Sequence, residues 1–389
     1  MSVRELVAAA NAFGFALLER LWEEGENVFF SPASIAVALL MVANGADEAT
    51  AAAIRRALRL AGLSLEGASQ AQAELWPALI EEDEAVTLAL ANSVWVTDAL
   101  PVAPSFRKRV LASYEAAVEN IDFRQARAAA AAINRWVAAQ TEGKIADLLA
   151  AADVAEAVMV LVNAIYFRGL WHAPFARMQT RPGPFTRANG STLPLPMMSN
   201  SGPYHYLEND ALQMLSLPFG SGRLSLVVLL PRPGRSLRQM RARLSADRWR
   251  AWMDALLPQP SRYGGWDASL LRRHQREGTV VLPRFCLSYR MSLLRHLRAL
   301  GLDANRFTRI AAGGEPLLID AVLHQSFLEV NEEGAEAAAA TAVTVARSAM
   351  VAPRPFRIVV DRPFFCALRD NGSGALLFMG TVYQPEASR

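Results

Sequence analysis

The sequence predicts an α+β fold in a single domain covering residues 1–389, and three observations carry that expectation. Apolar runs of strand length are interspersed with amphipathic helical stretches, without the regular strand–helix repetition of a parallel α/β fold. Two of these runs, residues 88–96 and 158–167, are apolar on both alternating phases and read as strands buried on both faces. No Pro-, Gly- or Ser-rich linker divides the chain, and a chain of this length can bury one large core.

The elements follow in order. Leu6, Ala10, Phe13, Leu17 and Leu21 recur at helical spacing, with Glu19, Arg20, Glu23 and Glu24 on the opposite face. This is an amphipathic structural helix, so the stretch is not read as a signal peptide, and the compartment stays open. Residues 27–35 read as a short strand that stops at Ser31-Pro32 and opens a helix. Ser31 suits the N-cap and Pro32 the first turn. Leu39, Leu40 and Val42 make that helix almost wholly apolar, hence buried. A further helix is expected from about residue 47 to 60, with Ile54 and Leu58 on one face. Residues 126–149 carry Ile133, Trp136 and Val137 at helical spacing, broken by Thr141-Glu-Gly-Lys-Ile145. The strand at 158–167 is expected to end at Arg168-Gly169. Beyond it, turns join strands at 195–198, 212–217, 224–230 and 280–287, with Gly220-Ser-Gly222 as a hairpin turn. The last strands are expected at 356–360, 364–369 and 375–382.

Composition removes several function classes. Hydrophobic residues make up 52% of the chain, yet none of its apolar runs reaches the about 18 residues of a membrane span. Net charge is +3, and Lys108 and Lys144 are its two lysines; nothing gathers cations onto one face for nucleic acid. Cys286 and Cys366 lie in apolar runs and read as free buried thiols, with no metal site expected. The five histidines are scattered, and no nucleophile elbow, phosphate loop or metalloprotease helix is present. No enzymatic activity is expected.

One segment stands apart: Glu329-Val-Asn-Glu-Glu-Gly-Ala-Glu-Ala-Ala-Ala-Ala-Thr-Ala-Val343. By composition alone it would suit a surface helix. The rest of the chain gives it another meaning. Residues 27–35, Ala91-Asn-Ser93, residues 134–148, Leu161-Val-Asn-Ala-Ile-Tyr-Phe-Arg-Gly169 and Pro196-Met-Met198 come first. Leu323-His324, residues 329–343, Asp361-Arg-Pro-Phe364 and Leu377-Phe-Met-Gly380 complete the series. In this order, over residues 3–385, they resemble the signatures of the serpin family.

The resemblance implies three β-sheets, eight or nine helices, a metastable native state and an exposed reactive-centre loop at about residues 332–355. It implies a suicide inhibitor of serine proteases. The loop is cut, an acyl-enzyme forms, and the hinge inserts as a new strand of the central sheet. The hinge residues would be Glu332, Glu333, Gly334, Ala335, Glu336, Ala337, Ala338, Ala339, Ala340 and Thr341. Side chains in an inserted strand alternate, which puts Ala335, Ala337, Ala339 and Thr341 inward and leaves the Glu336 charge outward. An inward charge would carry a desolvation cost of several kcal/mol.

Arg347-Ser348 suits a trypsin-like protease, although the commonest family spacing from Gly334 places the cut one residue later, after Ser348. Met350-Val351 would suit an elastase-like enzyme, and a cysteine protease target or a non-inhibitory carrier, chaperone or storage role are the alternatives. By resemblance, Ser31, Ser34, Asn163 and His324 control sheet opening, Trp171 lies beneath the point where the loop enters, and Arg284 pairs with Glu332. No cofactor is implied. Residues 66–84 hold Glu66, Glu74, Glu81, Glu82, Asp83 and Glu84 but no Lys or Arg, so heparin-type activation is not expected. A monomer is.

Overall fold

A computed structural model describes residues 2–60, 62–80, 83–257, 274–335 and 354–386. The bond at Arg347-Ser348 and the hinge positions Glu336, Ala337, Ala338, Ala339, Ala340 and Thr341 lie outside the described residues. Within them the chain forms α1 (Val3–Leu21), α2 (Pro32–Ala43), α3 (Glu48–Ala57), α4 (Leu65–Ile80) and α5 (Pro104–Tyr114). The helices α6 (Ala126–Gln140), α7 (Ala151–Val154), α8 (Leu237–Arg241), α9 (Ala246–Leu256) and α10 (Leu294–Ala299) follow. The short α7 and α8 raise the number of α-helices among the described residues to ten.

The central sheet has the order β10 (Phe285–Ser292), β11 (Ala321–Val330), β4 (Met159–Leu170), β2 (Val86–Thr97) and β3 (Ala117–Ile121). A short β12 (Gly334–Ala335) also pairs with β4. The second sheet runs β1 (Val28–Phe30), β15 (Leu376–Val382), β14 (Phe364–Asp370), β8 (Leu224–Pro231), β7 (Leu212–Pro218) and β6 (Thr192–Glu208). The 17-residue β6 continues into a third sheet with β5 (Arg181–Thr186), β9 (Arg276–Pro283) and β13 (Phe356–Val359). The second and third sheets are thus one hydrogen-bonded ribbon, joined where β6 turns from β9 to β7.

Local chemistry explains the elements. Ser2 and Glu5 close a capping box on α1. Ser31 caps α2 through the Ser34 amide, with Pro32 in the first turn, as its sequence requires. All twelve residues of α2 are buried. The side chains of β4 alternate between two cores: Met159 and Leu161 join the one around α2, Val160 and Val162 the one under α6. Trp136 of α6 meets Trp95 of β2 edge-on at 6.1 Å. Hence β4 is buried on both faces.

Three expectations are corrected. The break expected at 141–145 is present, since α6 stops at Gln140, where the Thr141 hydroxyl donates to the Val137 carbonyl and Glu142 and Gly143 take φ of 51° and 74°. However, the helix does not resume by residue 149. The run at 280–287 is two strands of different sheets, parted at Arg284, whose amide still donates to the Pro196 carbonyl at 2.8 Å before the chain passes into the central sheet as β10. The strand at 158–167 continues through Gly169, where a Cβ would lie 2.6 Å from the Phe167 ring. Cys366 is buried and Cys286 only half-buried; both are free, and burial pushes each thiol up to about 12. No helix among the described residues is long and apolar enough to cross a membrane.

Candidate functional site

The site is the junction between β4 and β11. These strands run parallel, in register from Ala321–Val160 to Leu328–Phe167, and the ladder between them ends there. Beyond that point the chain turns at Asn331–Glu333 and comes back as β12, antiparallel to β4, with Gly334 opposite Leu170 and Ala335 opposite Gly169. On its other edge β4 is already paired with β2, Val86 facing Gly169. The first two residues after the turn therefore occupy the mouth of the gap between β11 and β4. A strand has been started there.

The turn is fixed at several points. Trp171 donates its amide to the Glu333 carbonyl at 2.9 Å and its indole Nε1 to the Asn331 carbonyl at 2.8 Å. Phe219 stacks on the Trp171 ring with centroids 4.2 Å apart. The Phe175 amide donates to the Glu332 carbonyl at 2.7 Å. The Glu332 carboxylate is almost wholly buried, accepts from the Thr180 hydroxyl at 2.7 Å and lies 3.7 Å from the Arg284 guanidinium. Glu333 pairs with the exposed Arg177 at 2.6 Å. Gly334 has φ +137°, and a Cβ there would lie 2.1 Å from the Gly169 carbonyl oxygen, so this position needs glycine.

Lower down, polar groups meet inside an apolar core. Asn163 of β4 donates to the Ser34 carbonyl at 3.2 Å, and its amide nitrogen is 2.5 Å from both the Ser34 hydroxyl and Asn92 Oδ1. His324 of β11 places Nδ1 2.5 Å from Asn163 Oδ1, and its Nε2 accepts the Ser31 amide at 3.3 Å. That pattern defines a neutral imidazole with its proton on Nδ1. Burial pulls its pKa down from 6.5 to about 3. Next to it the Ser326 hydroxyl donates to the Phe29 carbonyl at 2.7 Å.

The structure thus brings together Ser31, Ser34, Asn163 and His324 beneath the sheet, and Trp171, Arg284, Glu332, Glu333, Gly334 and Ala335 at its upper end. Sequence reasoning missed Asn92, Ser326, Thr180 and Arg177. Asn92 lies within the Ala91-Asn-Ser93 signature, and both Asn92 and Ser326 could have been flagged as polar residues within largely apolar strands. Thr180 and Arg177 carry no such signal. Among the described residues no group of three or more His, Cys, Asp or Glu is placed to hold a metal.

A central sheet whose parallel pair β4–β11 has a strand begun in its mouth, over a buried polar cluster, defines one protein class. The chain belongs to the serpin family: the family described as Serpin (serine protease inhibitor) matches residues 8–385. Neuroserpin of Gallus gallus is 32% identical over 383 residues, 95% of this chain and 88% of that protein. An uncharacterized serpin-like protein of Thermococcus kodakarensis is 32% identical over 388 residues, 98% of this chain and 86% of that one. Among solved structures, Arabidopsis AtSerpin1 in its native stressed conformation superposes with TM-score 0.83 at 26% identity, covering 99% of each chain. Thyroxine-binding globulin in complex with thyroxine superposes at 0.81 with 25% identity, covering 98% of this chain and 99% of that one.

Proposed function

We propose that this serpin inhibits a trypsin-like serine protease as a suicide substrate. Residues 332–355 are the reactive-centre loop and Arg347-Ser348 is the bait bond. The protease serine attacks the Arg347 carbonyl, the amine of Ser348 departs, and an ester joins Arg347 to the enzyme. Loop insertion then competes with hydrolysis of that ester. The driving force is strand addition, which makes ladder hydrogen bonds and buried contacts that the intact chain leaves unmade. The protein is a monomer, is not itself a catalyst and needs no cofactor.

The observation that carries the reading is β12. Gly334 and Ala335 already pair with β4, and the next inward positions, Ala337, Ala339 and Thr341, are small. Nothing in the hinge sequence obstructs the strand from growing. A carrier role, which the thyroxine-binding relative illustrates, needs no such run of small side chains.

The test mixes the protein, in slight excess, with trypsin. A denaturing gel is expected to show a covalent complex near the summed mass, with activity lost near equal stoichiometry. Mass spectrometry of the released fragment is expected to give residues 348–389, and replacement of Arg347 by Ala to abolish trypsin inhibition. Clean loop cleavage with full trypsin activity would refute inhibition of trypsin-like enzymes.

A further inference from the structure

The strand that follows the bait is anchored by more than its ladder. Among the described residues β13 lies at the edge of its sheet and pairs only with β9, from Phe356–Gly278 to Val359–Val281. Phe356 stacks on Tyr206 with centroids 3.8 Å apart and rings 3° from parallel. The Arg276 guanidinium lies 5.2 Å from the Tyr206 ring and 5.9 Å from that of Phe356. Gly278 makes room, since a Cβ there would lie 2.3 Å from the Phe356 ring. Two donors grip the backbone itself: Arg276 Nη2 reaches the Arg354 carbonyl at 3.4 Å and Gln213 Nε2 the Arg357 carbonyl at 3.1 Å. Glu208, in turn, accepts from the Tyr206 hydroxyl and pairs with Arg232 and Arg276.

This ledge presents two cations. Phe356 and Ile358 point inward and Arg357 outward, while Arg354 is exposed just before the strand. Neither arginine has an ion-pair partner among the described residues. Arg354 stands six residues after Ser348, about 20 Å of extended chain at most. A protease footprint of about 800 Å², a disc of about 16 Å radius, covers most of that fully extended limit.

We propose that Arg354 and Arg357 are a docking surface for the target protease, received by an acidic rim on the primed side of its cleft. The proposal rests on the inhibitor reading above. It commits to a partner because the two cations are continuous in the chain with the bait, without an ion-pair partner among the described residues, and held by their backbone carbonyls. Charges so placed act on the encounter rate and leave the later race between insertion and hydrolysis unchanged.

Anionic and cationic trypsin share a preference for Arg and differ in surface charge, so they isolate the effect. At low salt the wild type is expected to inhibit anionic trypsin faster, on the order of tenfold, than cationic trypsin. The variant R354E/R357E should lose that preference, as should the wild type in 0.5 M salt, with stoichiometry unchanged. R4E/R109E, of equal net charge on helices remote from β13, should keep it. Equal rates with both trypsins, or equal loss in the two double variants, would overturn the proposal. Should neither trypsin form a covalent complex, the inhibitor reading itself fails. Association with the two trypsins carrying Ser→Ala at the nucleophile then reads the docking surface alone, and equal association rates with wild type and R354E/R357E would overturn it.

Discussion

Asn163 and His324 face each other across the β4–β11 junction, in register, with His324 Nδ1 2.5 Å from Asn163 Oδ1. The other imidazole nitrogen accepts the Ser31 amide. A second proton on the ring would therefore confront an N–H donor inside a dry core, among Ser31, Ser34, Asn92, Asn163 and Ser326, all neutral. That arrangement explains why burial lowers the His324 pKa to about 3.

Stability should accordingly fall in acid. The folded pKa lies below the unfolded value of 6.5, so unfolded chains take up a proton that the native state refuses. The stabilisation is complete above about pH 6.5 and is lost progressively as pH falls toward about 3. Between pH 7.5 and pH 5 the loss is about 2 kcal/mol. Urea midpoints should show this slope in the wild type and a shallower one in His324→Gln. Parallel slopes would contradict the assignment.

Much of this site is legible in the amino-acid sequence. Ser31-Pro32 marks the start of α2, and the largely apolar runs at 88–96 and 158–167 mark strands buried on both faces. By resemblance to serpins, the signatures then set Asn163 and His324 in one polar cluster and Glu332 beside Arg284. Other features depend on contacts between distant segments. Nothing local to Thr180 or Arg177 reports that their loop folds back onto Glu332 and Glu333. The parting of β9 from β10 falls at Arg284, where the chain passes from one sheet to another, and no local periodicity reports that change of partner. The continuation of β6 from one sheet into the next is a property of pairing, which periodicity does not record.

The two glutamates of the turn should differ in weight. Glu332 is buried with a hydroxyl donor and an arginine, so Glu332→Ala should cost about 1–3 kcal/mol, seen as a lower unfolding midpoint of the intact protein. Removing Arg177, whose side chain is 72% exposed, should cost less than about 1 kcal/mol. Equal effects would show that the turn is not held through Glu332.

Gly334 should resist replacement. Any Cβ meets the Gly169 carbonyl oxygen, and the φ of +137° disfavours L side chains. Gly334→Val should free β12 from β4, measured as faster amide exchange at Ala335 and a raised inhibitor-to-protease stoichiometry. Unchanged exchange would rule out the β12 pairing.

The hinge should be sensitive in one phase only. Ala337→Glu puts a charge inward and should turn inhibitor into substrate, with the covalent band replaced by cleaved product. Ala338→Glu, one residue on, should inhibit nearly as well as the wild type. The reverse order would invert the insertion register.

The central claim is that the cut loop completes a strand between β4 and β11. Thermal unfolding before and after a single cleavage within residues 336–353, by any protease that releases the product, tests this most directly. Insertion predicts a cleaved form that melts above the intact one, by roughly 1–2 °C for each kcal/mol the added strand contributes in a chain of 389 residues. A cleaved form that melts at or below the intact temperature would show that the hinge does not insert, and the inhibitory account would fall with it.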